Sequence, residues 1–138
     1  MKLLIYAGKE KFVVSGNDKD CHTIEGCDIR ETVESAYNEI EAYDFLEVSR
    51  DEDPLASLLA RLRKGGKLKI QGIDALKASD SLVSGQIECR AFSEIVVSNS
   101  FRANKVNDII RDIESKGYAI EFAGISGLHY IIEVTKKW

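Results

Sequence analysis

The chain has few of the residues from which metal centres, disulfide scaffolds or disordered tails are built. Its 138 residues include three cysteines, two histidines, one proline and one tryptophan. Cys21, Cys27 and Cys89 are an odd number without a C-x-x-C spacing, so reduced, incidental thiols are expected. Cys21-His22 with Cys27 would offer three zinc ligands from one loop, but no fourth follows and the spacing matches no recurring zinc pattern, so no metal is expected. No run approaches the ~18 apolar residues of a membrane span, and the first apolar run is shorter than a secretory core of roughly 7–15 residues. No membrane association is expected, and the expected address is cytoplasmic. An excess of basic charge is missing too: 19 basic against 23 acidic side chains leave a net charge of −4. Nucleic acid is therefore not an expected partner, because phosphate binding needs a concentrated basic surface. The closest approach to one, Arg61 to Lys64 with Lys67 and Lys69, reads as cations answering a helix dipole.

What is present is a globular composition, 44% hydrophobic and 30% charged, without repeats or linkers, which implies a single domain over residues 1–138. Lys2 to Ala7 reads as a buried strand ending at Gly8, and Phe12-Val13-Val14 as a second strand closed by a polar turn. Ile29, Val33, Ala36, Tyr37 and Ile40 are spaced like one helix face, with Asp28 placed to cap it. Tyr43 to Val48 reads as a strand. Pro54 opens a helix with Leu55, Leu58, Leu59 and Leu62 as its apolar stripe, basic residues at its end and Gly65-Gly66 as its stop. Lys67 to Ile73 alternates as a strand, and Asp74 or Ser79 is placed to cap short helical pieces that run through Val83. Residues 86–98 fit a helix or, at Ile95-Val96-Val97, a strand. Val106, Ile109, Ile110 and Ile113 mark a helix ending at Lys116-Gly117. Two further strands, joined through Gly124 to Gly127, close the chain as a hairpin. This order predicts an α/β fold: a mostly parallel twisted sheet with helices on both faces and a C-terminal antiparallel hairpin. Such sheets place ligands beyond the carboxyl ends of their strands.

The ordered motifs resemble the short class I S-adenosylmethionine-dependent methyltransferases along essentially the whole chain. Members often open with Met-Lys-Leu-Asn-Leu-Gly-x-Gly; here the opening is Met1-Lys2-Leu3-Leu4-Ile5-Tyr6-Ala7-Gly8. An acid closing their second strand is answered by Asn17 or Asp18, and a Gly-Asp-Ile-type segment by Cys27-Asp28-Ile29. A Leu-Lys-Pro-Gly-Gly-x-Leu-x-Ile signature is answered by Leu62-Arg63-Lys64-Gly65-Gly66-Lys67-Leu68-Lys69-Ile70. Gly85-Gln86-Ile87, Phe92 and Gly117-Tyr118 complete the set.

The resemblance implies a Rossmann-like fold and S-adenosylmethionine as cofactor, with Tyr6, Ala7, Gly8, Asp18, Asp28, Ile29 and Glu47 as candidate cofactor-binding residues. Asp18 or Asp20 would hold the ribose hydroxyls, or else belong to a solvated turn. Asp28 would accept from the adenine amino group while Ile29 packs on the ring. Tyr6 replaces the first glycine of the family's Gly-x-Gly turn, so its phenol either fills part of the cofactor site or packs as a strand residue. Short members also carry a Ser-x-x-Leu-Glu-His segment after the fourth strand; this chain reads Glu47-Val48-Ser49-Arg50-Asp51-Glu52-Asp53 and has no histidine there. Glu47, Asp51 and Asp53 are the candidate catalytic bases, with a solvated loop and helix start as their other reading. Two functions are implied by the resemblance. One is methyl transfer to a small molecule or sugar; the other is an inactive module with a degenerate cofactor site, serving as an interaction or structural protein with a protein partner or as an oligomer. The short loop after the fourth strand leaves little material for a substrate lid. A nicotinamide or flavin site is disfavoured by the missing G-x-G-x-x-G turn.

Overall fold

In a computed structural model, residues 1–8, 21–97 and 102–137 are described. Six strands form one sheet: β1 (Lys2–Tyr6), β2 (Cys21–Glu25), β3 (Tyr37–Tyr43), β4 (Leu62–Ile73), β5 (Ala119–Ser126) and β6 (His129–Thr135). Their spatial order is β2-β1-β3-β4-β6-β5. The first four are parallel, and β6 pairs antiparallel with both β4 and β5. Between them lie helices α1 (Phe45–Val48), α2 (Pro54–Arg61), α3 (Ala75–Val83), α4 (Cys89–Phe92) and α5 (Val106–Ser115), with a π-helical turn at Ser93–Val97. The parallel sheet with its closing antiparallel hairpin is as expected from the sequence.

Period-two alternation divides the sheet into unlike faces. Leu3, Ile5, Ile40, Ala42, Leu68, Ile70, Ile132 and Val134 point into one core with Leu55, Leu58 and Leu59 of α2 and Ile109 and Ile113 of α5. Partners of the alternate register, Lys2, Glu39 and Lys67, then Glu41, Lys69 and Glu133, put charge on the other face. There Lys2 Nζ lies 3.2 Å from Glu41 and 3.8 Å from Glu39. Among the described residues, the helices that share the core thus lie against the apolar face.

Several local expectations are corrected. The segment from Ile29 to Ile40 is not a helix: residues 28–36 turn, and Tyr37 begins β3. Between Tyr37 and Glu39 the pairing with β4 shifts register, Tyr37 lying opposite Leu62 and Glu39 opposite Lys67, and buried Tyr37 and Ile40 fall three apart, which imitates a helical step. Val33, counted in that imagined face, is 66% exposed. Asp28 accordingly caps no helix. Tyr43 to Val48 is not a strand either: Tyr43 ends β3, Asp44 turns in the left-handed region at φ 59°, and α1 follows. Short polar side chains tolerate that conformation best.

Helix α2 starts as expected, with Pro54 in its first turn and the Asp53 carboxylate accepting from the Ala56 N–H at 3.1 Å. It ends at Arg61, not at the glycine pair. The remote Lys136 ammonium donates to the carbonyls of Leu59 and Leu62 at 2.8 and 3.0 Å, so the terminal acceptors are met from the other end of the chain. Arg63, Lys64, Gly65 and Gly66 are already part of β4, where Gly65 adopts φ +80° and Lys136 pairs with Gly65 and Gly66 through its backbone. Residues 89–97 are helical, which excludes the strand at Ile95 to Val97. The final hairpin turns at Gly127-Leu128, because β5 runs on through Gly124, Ile125 and Ser126. The expected strand at Phe12 to Val14 lies outside the described residues.

At the end of β4, Asp74 is 1% exposed and serves two helices. Its Oδ2 accepts from the Lys77 N–H at the start of α3, and its Oδ1 from the Val106 N–H at the start of α5, both at 2.8 Å. Ser79, the other candidate cap, lies within α3. Each cap of this kind is worth about 0.5–2 kcal/mol. Asp74→Ala should therefore cost about 2–4 kcal/mol, with one further buried donor left unmet, and Asp74→Asn less. Urea unfolding of the three proteins measures this; a loss below about 1 kcal/mol for the alanine variant would exclude a double-capping role.

Candidate cofactor and acceptor site

The carboxyl ends of the parallel strands gather four segments: Tyr6-Ala7-Gly8 after β1, Glu25-Gly26 after β2, Tyr43-Asp44 after β3 and Ile73-Asp74 after β4. Backbone bonds carry the ladder past the strand ends. Gly26 N–H donates to Tyr6 O at 2.7 Å, Ala7 N–H to Tyr43 O at 3.1 Å and Asp44 N–H to Gln71 O at 2.8 Å. These bonds fix Gly8 beside Asp44. A Cβ built on Gly8 would collide with the Asp44 carboxylate, so with Asp44 in this position the glycine makes room for it.

Tyr6 is 8% exposed and lies on the charged face of the sheet. Its ring stacks on that of Tyr43, centroids 5.4 Å apart and planes 7° from parallel. Burial raises both phenols, Glu41 adds to the rise, and the Tyr43 hydroxyl donates to Glu41 at 3.1 Å. Both rings are therefore held as neutral packing groups. Ala7 packs against the core. Asp28 is exposed and chelated by Arg30, whose Nε and Nη2 donate at 3.0 and 2.7 Å; these bonds hold its carboxyl down to about 2. Ile29, 3% exposed, belongs to the core. Asp18 and Asp20 lie outside the described residues.

Of the candidate bases, Glu47 is 4% exposed, beneath Gly72. The Tyr130 hydroxyl and the Asn104 amide face it, yet neither they nor the two carboxyl oxygens close a hydrogen bond. Burial pushes Glu47 up to about 8, the Tyr130 hydroxyl pulls the other way, and the charge of Asp44 adds to the rise. Burial also raises Tyr130 well above the usual phenol range. Asp51 is exposed and offers its carbonyl to Arg102. Asp53 caps α2 and meets Lys116 at 3.0 Å; burial alone would raise it, but the Ala56 N–H and Lys116 outweigh burial and hold it low.

A pocket of about 550 Å³ opens beside this loop, between Leu46, Glu52, Asp53, Pro54 and Leu55 on one wall and Arg102, Asn104, Asp108, Ile109 and Asp112 on the other. Its size is that of a small-molecule site. Glu25, Asp44, Arg102 and Asn104 were not singled out by the sequence. Ile24-Glu25-Gly26 carried a local signal, an acid between an apolar residue and a glycine; the others had none, since only chain folding brings them to the sheet end. Among the described residues no group of three metal-ligating side chains forms, and no helix is long and apolar enough to cross a membrane.

Four parallel strands followed by an antiparallel strand placed inside the edge strand is a specific topology. The chain matches the structure of an S-adenosylmethionine-dependent methyltransferase from Thermotoga maritima, described as a possible histamine N-methyltransferase, with TM-score 0.60 and 15% identity over 85% of this chain and 65% of that one. The fold is that of the class I methyltransferases. A second methyltransferase of this fold, from Methanosarcina mazei, gives TM-score 0.60 at 7% identity over 98% of this chain and 82% of that one. The putative methyltransferase of Haloferax volcanii, solved with the Trm112 methyltransferase activator, gives 0.58 at 9% over 89% and 65%. This chain thus spans 65% of the Thermotoga and Haloferax proteins. No family model and no curated protein matches the sequence.

The Thermotoga and Methanosarcina proteins are described as S-adenosylmethionine-dependent; at the first turn of this chain a carboxylate lies against side-chain-free backbone, an arrangement that suits a cationic group. The buried Glu47 has a measurable signature of its own. Its carboxyl is raised in the fold relative to an ordinary value of 4.5, so the folded state holds the extra proton between that value and about 8. Stability is then fully present at lower pH and declines as pH rises through this window, by up to about 1.4 kcal/mol per pH unit. Glu47→Gln should gain on the native protein from about pH 5 to about pH 8 in urea midpoints; parallel profiles would show that Glu47 carries no such proton.

Proposed function

We propose that this chain binds S-adenosylmethionine across the ends of β1, β2 and β3 and transfers its methyl group to a small molecule, with a sugar or an amine as suitable classes. The observation that carries the reading is the Asp44 carboxylate against Gly8. Asp44 would accept from the cofactor's ammonium group. Glu25, ending the strand next to β1, would accept from the ribose hydroxyls by charge-assisted bonds. Asp28, already engaged by Arg30, has only its remaining lone pairs for the adenine amino group. The cofactor supplies an electrophilic methyl on a sulfonium, and the protein's part is to position an acceptor in line with it.

The 550 Å³ pocket is the proposed acceptor site. Arg102 and Asn104 would orient polar groups, and Glu52 and Asp108 would accept from an amine or hydroxyl. Asp53 and Asp112 are partly neutralised by Lys116, at 3.0 and 2.6 Å. Glu47, buried and neutral, is not placed to act as the base.

The stack of Tyr6 on Tyr43 favours a second reading. It occupies the place of an open glycine, as in a module that kept the fold and lost the cofactor, retained for a protein partner or for assembly with other copies. Thermal melting with S-adenosylmethionine or its demethylated product separates the two. At ~100-fold above its dissociation constant a ligand bound only to the native state adds about 2.7 kcal/mol. The first reading expects a rise in melting temperature that Asp44→Asn reduces. No rise at millimolar ligand would overturn it in favour of the module.

A further inference from the structure

Arg102 has neighbours on two sides. On one side its Nη2 donates to the carbonyls of Ser49 and Asp51 at 3.2 and 2.6 Å, pinning the segment that leads into the rim of the 550 Å³ pocket. On the other, Arg102 lines a void of about 10 Å³ against Glu47, with Ile95, Val96 and Ala103 among its walls. Both oxygens of Glu47 lack a hydrogen-bond partner there. The Arg102 N–H also donates to the Glu47 carbonyl at 3.0 Å, so the two residues stay adjacent whatever their side chains do.

A guanidinium binds a carboxylate roughly twice as strongly as a neutral acceptor, whereas a protonated acid offers it only a neutral carbonyl oxygen, no better than the backbone carbonyls it already holds. The proton on Glu47 therefore decides which partner is better. We propose that Arg102 is a proton-controlled latch: with Glu47 neutral it holds residues 49–53 against the pocket, and when Glu47 ionises it turns to that carboxylate and releases them.

The surroundings set the direction and the range. Asp44, from the turn before α1, opposes ionisation of Glu47, and Asp74, at the end of β4, bears on Tyr130 in the same sense. The Tyr130 hydroxyl on β6 and the Asn104 amide favour ionisation, while the charge of Arg102 helps hold Asp53, across the pocket, low. Burial outweighs the favourable contacts, so switching falls above neutral pH. The void has room for about one water, so the guanidinium enters only if its roof yields. That roof includes Ile95 and Val96 of the π-helical turn, an irregular element suited to rearrangement.

The latch concerns the pocket whatever fills it, and its test needs neither cofactor nor acceptor. Hydrogen exchange of the full chain, read by mass spectrometry across alkaline pH and normalised to intrinsic rates, reports the closure of residues 48–53. Protection in the native protein should fall by up to about tenfold per pH unit once Glu47 titrates, the slope of a one-proton linkage. Glu47→Gln should keep the segment protected throughout, and Arg102→Gln should leave it open at every pH. Parallel loss in the native protein and Glu47→Gln, or full protection in Arg102→Gln, would overturn the proposal. Should Glu47→Gln fail to fold, the infrared carbonyl band of the protonated acid serves instead: it should vanish in step with protection, and its loss without opening would overturn the latch.

Discussion

The carboxylate of Asp74 joins three elements at one buried point. It follows the central strand β4 and accepts from N–H groups in the first turns of α3 and α5, so one side chain ties the starts of both helices together. Its own N–H donates to Leu128 O at 2.8 Å, and Asn104 O accepts from Ala75 N–H at the same distance. Helix starts leave unmet donors that must be paired when buried, and one carboxylate with two oxygens can meet two of them. The pocket wall of Arg102, Asn104 and Asp108 inherits its position from that junction.

Acids at this end of the sheet are used in physically different ways. Asp53 and Asp74 are spent on helix starts. Asp44 is held in a left-handed turn against Gly8, and Glu47 is buried under Gly72, where a Cβ would strike its carboxyl. The two glycines make room for acids in different settings: one for Asp44 at the end of β1, the other for the buried Glu47. An uncompensated buried charge is costly, which is why Glu47 retains its proton.

Much of the fold was legible because it is local. The alternation in Lys67 to Ile73, the leucine stripe of α2 with Pro54 at its start, the isoleucines of α5 and the capping residue Asp74 each state their element within a few positions. Two of the misread segments lie where distant parts of the chain meet. The irregular pairing of β3 with β4 accompanies the three-residue step of Tyr37 and Ile40 that resembles a helix, and α2 ends at Arg61, where Lys136 meets its last carbonyls, before the glycine pair read as its stop. Of the site, Tyr6, Gly8 and Glu47 were visible as departures from or matches to a family pattern, whereas the roles of Asp44 and Arg102 were not.

The sequence by itself determined the class of the protein, an α/β domain with parallel strands and a closing hairpin, since periodicity fixes which face of each element is apolar. Only the tertiary structure decided which charges meet. Gly8 with Asp44, Glu47 with Tyr130, Asp74 with Val106 and Arg102 with Ser49 are pairs separated by tens of residues. A local pattern encodes what a residue must hide or expose; it does not encode the partner, because the partner is chosen by strand order and register.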